Sequence, residues 1–313
     1  MRSVRFSNAV IIILTKVSFI LILNPFYPLY AQLAGVESRG YTMRLKLDNF
    51  SNYNTLLQDT EAFYRRVEGF ISANYDTSEL KVKFDLDDHE MYHIRYLDTD
   101  DHQLNANGFI FLEETELEET DGGVEPDDKA QYYLMYHTAE AQFAQMMDLS
   151  VKRLKSPKIR PADERFIESI HGGSSRFMRI ASARFKPAEY IIDMSWKAAN
   201  IFPVLASFLD LRSELKSMTP FKPRETRFSG EIEFDLDNYL EYTIRCLTDE
   251  PENGAAAVHY IEFSFAYETD DLLTKKMPQY TDMFYKAMQK QEDVDLNSGT
   301  IAEDIYKRLK IEN

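Results

Sequence analysis

Cysteine is nearly absent from this chain of 313 residues: Cys246 is the only one, so no disulfide can form within the chain. Glycine and proline are also scarce, at 11 residues each, which excludes a fibrous or low-complexity protein. Apolar residues make up 44% of the sequence and aromatic residues 13%. This is enough to bury a substantial core, so the sequence predicts a globular protein of one large domain or two small ones.

Positive charge is the second deficit, because 36 Lys and Arg residues stand against 52 Asp and Glu residues, for a net charge of −16. An acidic protein repels nucleic acid and anionic lipid headgroups. The charge balance therefore argues against both as partners.

Long apolar runs are absent after residue 31, and the run at residues 9–23 is shorter than the roughly 20 residues that span a bilayer. Arg2 and Arg5 precede this run, and Ala31 and Ala34 follow it as small residues that suit cleavage. This order predicts a secretory signal peptide over residues 1–31 and an exported protein, periplasmic or secreted, with no stable membrane span after cleavage. An uncleaved N-terminal anchor is the alternative. With one cysteine, an exported chain is more typical of a bacterial envelope or medium than of a disulfide scaffold.

Period-two alternation of apolar and polar residues dominates the rest of the chain, and segments with helical spacing interrupt it. This pattern predicts an α+β protein with a large antiparallel sheet or barrel and flanking helices. The predicted strands are 41–47, 80–86, 92–97, 108–112, 131–136, 165–170, 176–186, 227–236, 242–247 and 258–267. The predicted helices are 52–67, 139–154, 197–215, 272–291 and 301–309, with a capping box formed by Thr300 and Glu303 at the start of the last one.

An internal repeat links two parts of the chain, since the pattern F-D-L-D-x4-Y-x-I-R-x-L begins at Phe84 and again at Phe234. It predicts two hairpins of similar geometry, related halves of one barrel. The alternative is two unrelated strands that share an in/out pattern.

Residues 89–93 read H-E-x-x-H, the zinc motif of a class of peptidases. The motif binds zinc on a helix, where residues four apart share a face, whereas in a strand they lie about 13 Å apart. Residues 92–97 alternate with period two, so a strand is favoured, with His89 and Glu90 in a turn before it. A zinc metallopeptidase with His89 and His93 as ligands is the disfavoured alternative.

The stretch that follows, RYLDTDDHQLNANGFIFLEE, resembles the pattern Y-x-D-T-x-x-x-x-L-x-x-x-G of CYTH-type proteins, the triphosphate tunnel family. Tyr96, Asp98, Thr99, Leu104 and Gly108 match the pattern in spacing. The resemblance implies an antiparallel eight-stranded barrel around a polar tunnel, into which alternate strand residues point.

Residues upstream and downstream extend the resemblance to about residues 75–270. ELKVKF resembles the family's E-x-E-x-K strand, and GEIEFDL and YIEFSFAYE resemble its late, carboxylate-bearing strands. With the signal peptide, the predicted domains are an N-terminal strand and helix at 32–74, the barrel at 75–270 and C-terminal helices at 271–313.

The resemblance implies a metal-dependent phosphohydrolase, or a binder of phosphorylated compounds. In such a tunnel Lys and Arg hold phosphate oxygens, and carboxylates hold Mg²⁺ or Mn²⁺. The implied phosphate-binding residues are Lys81, Lys83 and Arg95, and the implied metal ligands are Glu79, Glu231, Glu233 and Glu262.

The chain departs from the family at the phosphate clamp. The family has R-x-R after the glycine, whereas Gly108 is followed by Phe-Ile-Phe-Leu-Glu-Glu, and His137 lies where a lysine is expected. Each lost charge-assisted hydrogen bond is worth about 1.5–3 kcal/mol. The prediction is therefore a barrel degenerate at its phosphate clamp, with a non-catalytic envelope or secreted scaffold for a ligand or a protein as the alternative.

Overall fold

Long antiparallel strands account for most of the residues that the computed structural model describes, which are 35–50, 52–76, 80–120, 123–154, 159–219, 223–235, 238–249, 256–269 and 276–312. The strands are β1 Ser38–Leu45, β2 Lys83–Asp98, β3 Phe109–Thr120, β4 Gly123–Thr138, β5 Arg160–His171, β6 Ser174–Phe185, β7 Lys216–Ser217, β8 Pro223–Asp235, β9 Asn238–Asp249, β10 Val258–Glu268 and β11 Val294–Asp295. The α-helices are α1 Leu56–Asn74, α2 Gln103–Ala106, α3 Ala141–Met146, α4 Ser195–Ile201, α5 Met277–Met288 and α6 Ile301–Glu312, and short 3₁₀ helices cover Leu47–Asn49, Tyr53–Thr55 and Pro203–Ser207.

Nine strands close into a barrel in the order β1-β10-β9-β8-β2-β3-β4-β6-β5, with β5 returning to β1. The β1–β5 pair is parallel and the other eight pairs are antiparallel. Strict antiparallel alternation needs an even number of strands, so a ring of nine must contain a parallel pair. The predicted α+β barrel with flanking helices is confirmed, and its differences from the implied eight-stranded ring are the ninth strand and this parallel pair.

The outward face of the barrel carries two apolar layers. On β1, β8, β9 and β10 the layer lies under α1 and α5, where Phe263 packs edge-on against Phe63 and Phe284. On β3, β4 and β6 the layer lies under α4 and its neighbouring loops, where Phe111 contacts Phe202. These helices bury the outward face, so the barrel does not depend on disulfides for a core.

Helix α6 lies inside the barrel. Its Ile301, Ile305 and Tyr306 form one buried cluster with inward side chains of β2, β3, β9 and β10, among them Ile94 and Leu247. These strands surround the interior, which is called the lumen below, so a helix that contacts all four must occupy it.

The predicted capping box starts this helix. Thr300 Oγ accepts from the Glu303 N–H at 3.3 Å, and Glu303 Oε2 accepts from the Thr300 N–H at 3.0 Å. Two N–H groups that the helix itself cannot satisfy are thereby bonded.

One predicted turn is wrong. The predicted strands 80–86 and 92–97 belong to one continuous strand, β2, so His89 and Glu90 lie within a strand. A β-bulge between Leu86 and Asp88 takes the place of the turn. The second copy of the repeat does form a hairpin, in which Asp235 of β8 pairs with Asn238 of β9.

Two predicted helices are shorter than expected. In place of 139–154 the structure has α3 with six residues, and in place of 197–215 it has α4 and a 3₁₀ turn that starts at Pro203. Proline lacks the N–H that would continue α4. The signal peptide or anchor predicted at residues 1–31 lies outside the described residues, and within them no helix has both the length and the apolarity needed to cross a bilayer.

Candidate functional site

The lumen is lined by charged residues because alternate side chains of each strand point inward. Cross-strand pairing places charged residues of eight strands on this inward face. Among them are Arg44 of β1, Lys83, Asp85, Glu90 and Asp98 of β2, Glu114 and Glu116 of β3, Arg165 of β5, Arg176 and Arg184 of β6, Glu225, Arg227, Glu231 and Glu233 of β8, Glu241 and Arg245 of β9, and Glu262 and Glu268 of β10.

A five-residue ion network lies at the centre of this face. Glu225 has no exposed surface and accepts hydrogen bonds from Arg227 and Arg245, the latter at 2.7 Å. Arg227 also bonds Glu114, and Arg245 reaches Glu262 at 3.5 Å. These residues, Glu114, Glu225, Arg227, Arg245 and Glu262, are called the lumen network below.

Three members of the lumen network, Glu225, Arg227 and Arg245, stabilise one another's charge. Burial alone would raise the pKa of Glu225, but the positive charges of Arg227 and Arg245 lower it to about 2. Burial opposes the charge of Arg227, yet Glu225 and Glu114 raise its pKa above the usual value. The pKa of Arg245 is raised for the same reason.

Aromatic rings lie beside these charges. The guanidinium of Arg227 lies 4.1 Å from the centre of the Tyr92 ring, and that of Arg44 lies 4.1 Å from the centre of the Tyr260 ring. Burial and the neighbouring Glu114 raise the pKa of Tyr133 to about 12. Charged guanidinium groups and aromatic rings therefore lie side by side in this part of the lumen.

Helix α6 supplies acids to two other inward arginines. Glu303 forms an ion pair with Arg176, and Asp304 lies 3.8 Å from Arg44. The N–H of Ile301 donates to Glu262 Oε2 at 3.3 Å, which joins the first turn of the helix to the lumen network.

The structure does not bring the three predicted phosphate-binding residues together. Lys83 is 56% exposed and pairs with Glu233 at 3.5 Å, near one end of β2, and Lys81 is an exposed residue before that strand. Arg95 faces out of the barrel, where Glu113 binds it in bidentate fashion at 2.8 and 2.5 Å. Arg95 therefore does not line a tunnel as predicted, because the residues on either side of it in β2 are the ones that face the lumen.

The predicted metal ligands are also separated. Glu231 and Glu233 share the inward face of β8, but Glu231 lies four residues beyond Arg227, about 13 Å along the strand. Glu262 pairs across β9 at the level of Arg227, and Glu79 lies outside the described residues. Among the described residues no three His, Cys, Asp or Glu side chains are placed to hold one metal ion. The described carboxylates, as placed, therefore do not form a site for Mg²⁺ or Mn²⁺.

The two histidines of the H-E-x-x-H motif lie in β2, as the strand interpretation required. His89 stacks near Phe228 on the outward face, with ring centres 6.3 Å apart, and His93 pairs in register with Arg224. Residues four apart in a strand lie about 13 Å from each other, so the pair cannot share a zinc ion.

Sequence reasoning missed the lumen arginines. Arg245 occupies the position in the second copy of the repeat that Arg95 occupies in the first. Counted from Phe234, the alternation of strand side chains places Arg245 on the inward face. In β2 the bulge after Leu86 adds one residue, so Arg95 faces outward. The available signal was the spacing of Glu225, which lies two residues before Arg227, the first residue of a predicted strand.

No protein-family model matches this chain, and no curated protein matches its sequence. Among solved structures, the chain is similar to a putative adenylyl cyclase from Hippeastrum with a dominant triphosphatase activity, at 9% identity and a TM-score of 0.43, covering 87% of this chain and 96% of that one. It is also similar to a putative adenylate cyclase from Bacillus halodurans, at 10% identity and a TM-score of 0.35, covering 86% of this chain and 96% of that one. A putative adenylate cyclase from Vibrio parahaemolyticus is similar at 8% identity and a TM-score of 0.31, covering 87% of this chain and 98% of that one.

Proposed function

We propose that this protein binds a phosphorylated small molecule in the barrel lumen and does not hydrolyse it. The observation that carries the proposal is the convergence of arginines from five strands on the inward face. Guanidinium groups are the preferred partners of phosphate oxygens, because they stay charged and donate in pairs. These arginines are Arg44, Arg165, Arg176, Arg227 and Arg245.

Arg44 and Arg176 are the candidates for direct phosphate contact. Arg227 and Arg245 are not, because they bond carboxylates of the barrel strands themselves and a phosphate beside them would meet the charge of Glu225. Arg44 and Arg176 instead pair with acids of α6. An anionic ligand can therefore replace these α6 acids without breaking the barrel's own ion pairs.

The described lumen carboxylates support binding without hydrolysis. The carboxylates of the lumen network are bonded to guanidinium groups and not grouped for a metal ion. Ile110 and Leu112 face inward on the strand that carries R-x-R in the resembled family. We therefore expect the lumen to bind a phosphate group, as the lumen of the resembled family does, but not to hydrolyse it.

Calorimetric titration of the purified chain with tripolyphosphate, a nucleoside triphosphate and a sugar phosphate tests the binding. We expect at least one to bind, and the double variant Arg44→Gln/Arg176→Gln to bind it at least tenfold more weakly. Arg179→Gln is the matched control, because Arg179 lies on β6 three residues from Arg176 but faces outward to Glu164. Heat of binding absent with every phosphate compound overturns the proposal, and phosphate release with Mg²⁺ or Mn²⁺ overturns its non-catalytic part.

A second candidate function is a scaffold whose lumen binds nothing but α6. The observation in its favour is charge balance: with Arg44, the lumen network holds three arginines and three glutamates. This candidate predicts no heat with any phosphate compound and the same thermal stability for the wild type in their presence and absence.

Export is part of the same proposal, and its support is the basic, apolar and small-residue order of residues 1–31. Expression with the full N-terminus, followed by the mass of the recovered chain, tests it. A mature chain that starts near Ala31 or Ala34 supports cleavage, and an intact chain in the membrane fraction supports the anchor.

A further inference from the structure

Arg224, on the outward face of β8, is a buried arginine without a carboxylate partner among the described residues. The buried arginines of the described chain are Arg39, Arg44 and Arg224, which are 4%, 6% and 7% exposed. Arg39 and Arg44 each form an ion pair with a carboxylate, whereas no described Asp or Glu forms one with Arg224. A buried guanidinium without a counter-charge carries a desolvation cost that an ion pair would offset.

The Arg224 side chain contacts a thioether and an aromatic ring instead. Its Nη2 donates to the sulfur of Met91 at 2.6 Å, and its guanidinium lies 5.3 Å from the centre of the Tyr53 ring. Its Nε is buried without a hydrogen-bond partner among the described residues. A thioether sulfur is a weak acceptor, so Met91 is a poor substitute for a carboxylate.

Two hydroxyl groups lie beside the same sulfur. The Tyr53 hydroxyl donates to the Met91 sulfur at 3.6 Å. Thr226 lies two residues after Arg224 on the outward face and pairs across the sheet with Met91. Its Oγ1 is buried and has no hydrogen-bond partner in the described part of the chain. Hydrogen-bond donors therefore converge on one weak acceptor.

The neighbouring strands supply no acid to this place. Arg224 pairs with His93 of β2 and Thr248 of β9. Thr226 pairs with Met91 of β2 and with the buried cysteine of β9. Paired residues share one face of the sheet, so these are the side chains nearest to Arg224 and Thr226 within the barrel wall. They bring a positive charge and several donors together without a negative charge.

Other arginines of this chain show which group the Arg224 guanidinium is suited to bind. Arg95, Arg179 and Arg245 each hold a carboxylate through Nε and Nη2, the two nitrogens that in Arg224 have no partner and a sulfur partner. This edge matches the oxygens of a planar carboxylate. A carboxylate carries a single negative charge, which one guanidinium balances, whereas a phosphate dianion would leave excess charge in a buried place.

We propose that a small carboxylate binds on the outer wall of the barrel, at a site called the Arg224 site below. Its residues are Arg224, Thr226, Tyr53 and Met91. The carboxylate accepts hydrogen bonds from the Arg224 guanidinium and the Thr226 hydroxyl. Methionine is unbranched and flexible, so the Met91 thioether turns aside and leaves the guanidinium to the ligand. The Arg224 site lies on the face of β8 opposite the lumen network and is independent of the proposed lumen ligand.

The thermal midpoint of the purified chain, measured against the concentration of sodium acetate, tests the Arg224 site. We expect a saturable rise that sodium chloride at equal ionic strength does not produce. Arg224→Gln should weaken the apparent acetate affinity about tenfold or more, because it removes the charge-assisted hydrogen bonds. Arg179→Gln is the matched control, since Arg179 also faces outward but already holds Glu164 by the same edge, and it should keep the wild-type response.

Three outcomes would overturn the proposal. An acetate response of wild-type size in Arg224→Gln overturns the site. An equal response to acetate and chloride overturns the carboxylate assignment, because general screening depends on ionic strength and not on the kind of anion. The lumen variant Arg44→Gln/Arg176→Gln should keep the acetate response, and loss of the response there would place the acetate in the lumen.

A measurement on the wild type does not depend on whether Arg224→Gln folds. The Nε–H group of Arg224 gives a nitrogen–proton NMR signal, which is assigned through its bonds to the Arg224 backbone. This signal should shift with acetate and saturate over the same concentrations as the thermal midpoint. A signal that stays in place while acetate raises the midpoint overturns the site.

Met91→Leu tests the role of the thioether, because leucine keeps the approximate volume of methionine and removes the sulfur acceptor. Arg224 and Tyr53 then lose their present acceptor in the free chain. Acetate should therefore raise the thermal midpoint of this variant by more than it raises that of the wild type. An equal or smaller rise overturns the assignment of Met91 as the group that the carboxylate displaces.

Discussion

Replacing Glu225 with glutamine removes the buried negative charge that lies between two half-buried guanidinium groups while keeping the shape of the side chain. The lowering of its pKa from 4.5 to about 2 corresponds to about 3 kcal/mol, at about 1.36 kcal/mol per pKa unit. Breaking a buried ion pair on one side generally costs about 3–5 kcal/mol, because the remaining charge is left uncompensated. The pKa shift and the general cost of breaking a buried ion pair both predict a loss of about 3 kcal/mol in the free energy of unfolding at neutral pH.

Urea denaturation at neutral pH measures this loss. Glu164→Gln is the matched control, since Glu164 also pairs with an arginine, Arg179, but is 42% exposed. Exposed pairs contribute about 0–1 kcal/mol, so the control should change stability little. Equal, small losses in both variants would refute the argument that burial makes the Glu225 pair strong.

The same argument has a pH signature with a definite sign. The folded-state pKa of Glu225 is lowered, so its contribution is fully present above the unfolded value of 4.5 and is lost as the pH falls towards about 2. The glutamine variant cannot titrate at this position. The difference in stability between wild type and variant should therefore shrink across this acidic window, and a constant difference would contradict the assignment.

Three further variants test other parts of the structure. Gly230→Ala should lower stability by more than about 3 kcal/mol or prevent folding, because a Cβ there would lie 1.9 Å from the Asp85 carbonyl oxygen; a thermal midpoint near that of the wild type would contradict this close approach. Asp98→Ala should cost about 1–3 kcal/mol by urea denaturation, since it leaves three backbone N–H groups without their acceptor, and an unchanged midpoint would mean that water replaces it. Burial lowers the folded-state pKa of His137, so the folded protein should lose stability as the pH falls from the unfolded histidine pKa of 6.5 towards the lowered folded-state pKa. The thermal midpoint measures this loss, and His137→Asn should remove it.

The short motif that suggested the fold was informative because its residues are structural. Asp98 accepts hydrogen bonds from the backbone N–H groups of Thr99, Leu104 and Asn105. Gly108 has a φ of +78°, and a side chain there would crowd the His137 carbonyl oxygen at 3.1 Å. These contacts shape the β2–β3 connection, so the motif predicted a barrel and carried no information about catalysis.

The candidate site could be predicted only in part, because the direction of a side chain depends on every insertion before it in the strand. One bulged residue in β2 turns Arg95 out of the barrel, while its repeat partner Arg245 points in. The partners of Arg245 are Glu225 and Glu262, 20 and 17 positions away, and only the pairing of β8, β9 and β10 brings them together. Periodicity predicts strands and faces but not their register.

The lumen arginines differ in the elements that carry their partners, and this difference predicts different effects on stability and on binding. Arg227 of β8 bonds Glu114 of β3, two strands away, and Arg245 of β9 bonds Glu225 of the neighbouring β8, so both arginines link strands of the barrel wall to one another. Arg44 and Arg176 pair with acids on one helix, which is not hydrogen-bonded into the ring of strands. We therefore expect the first pair to contribute to the free energy of unfolding and the second pair to contribute to anion binding. For this reason the Glu225 measurement reports on the barrel and the Arg44/Arg176 measurement reports on the ligand site.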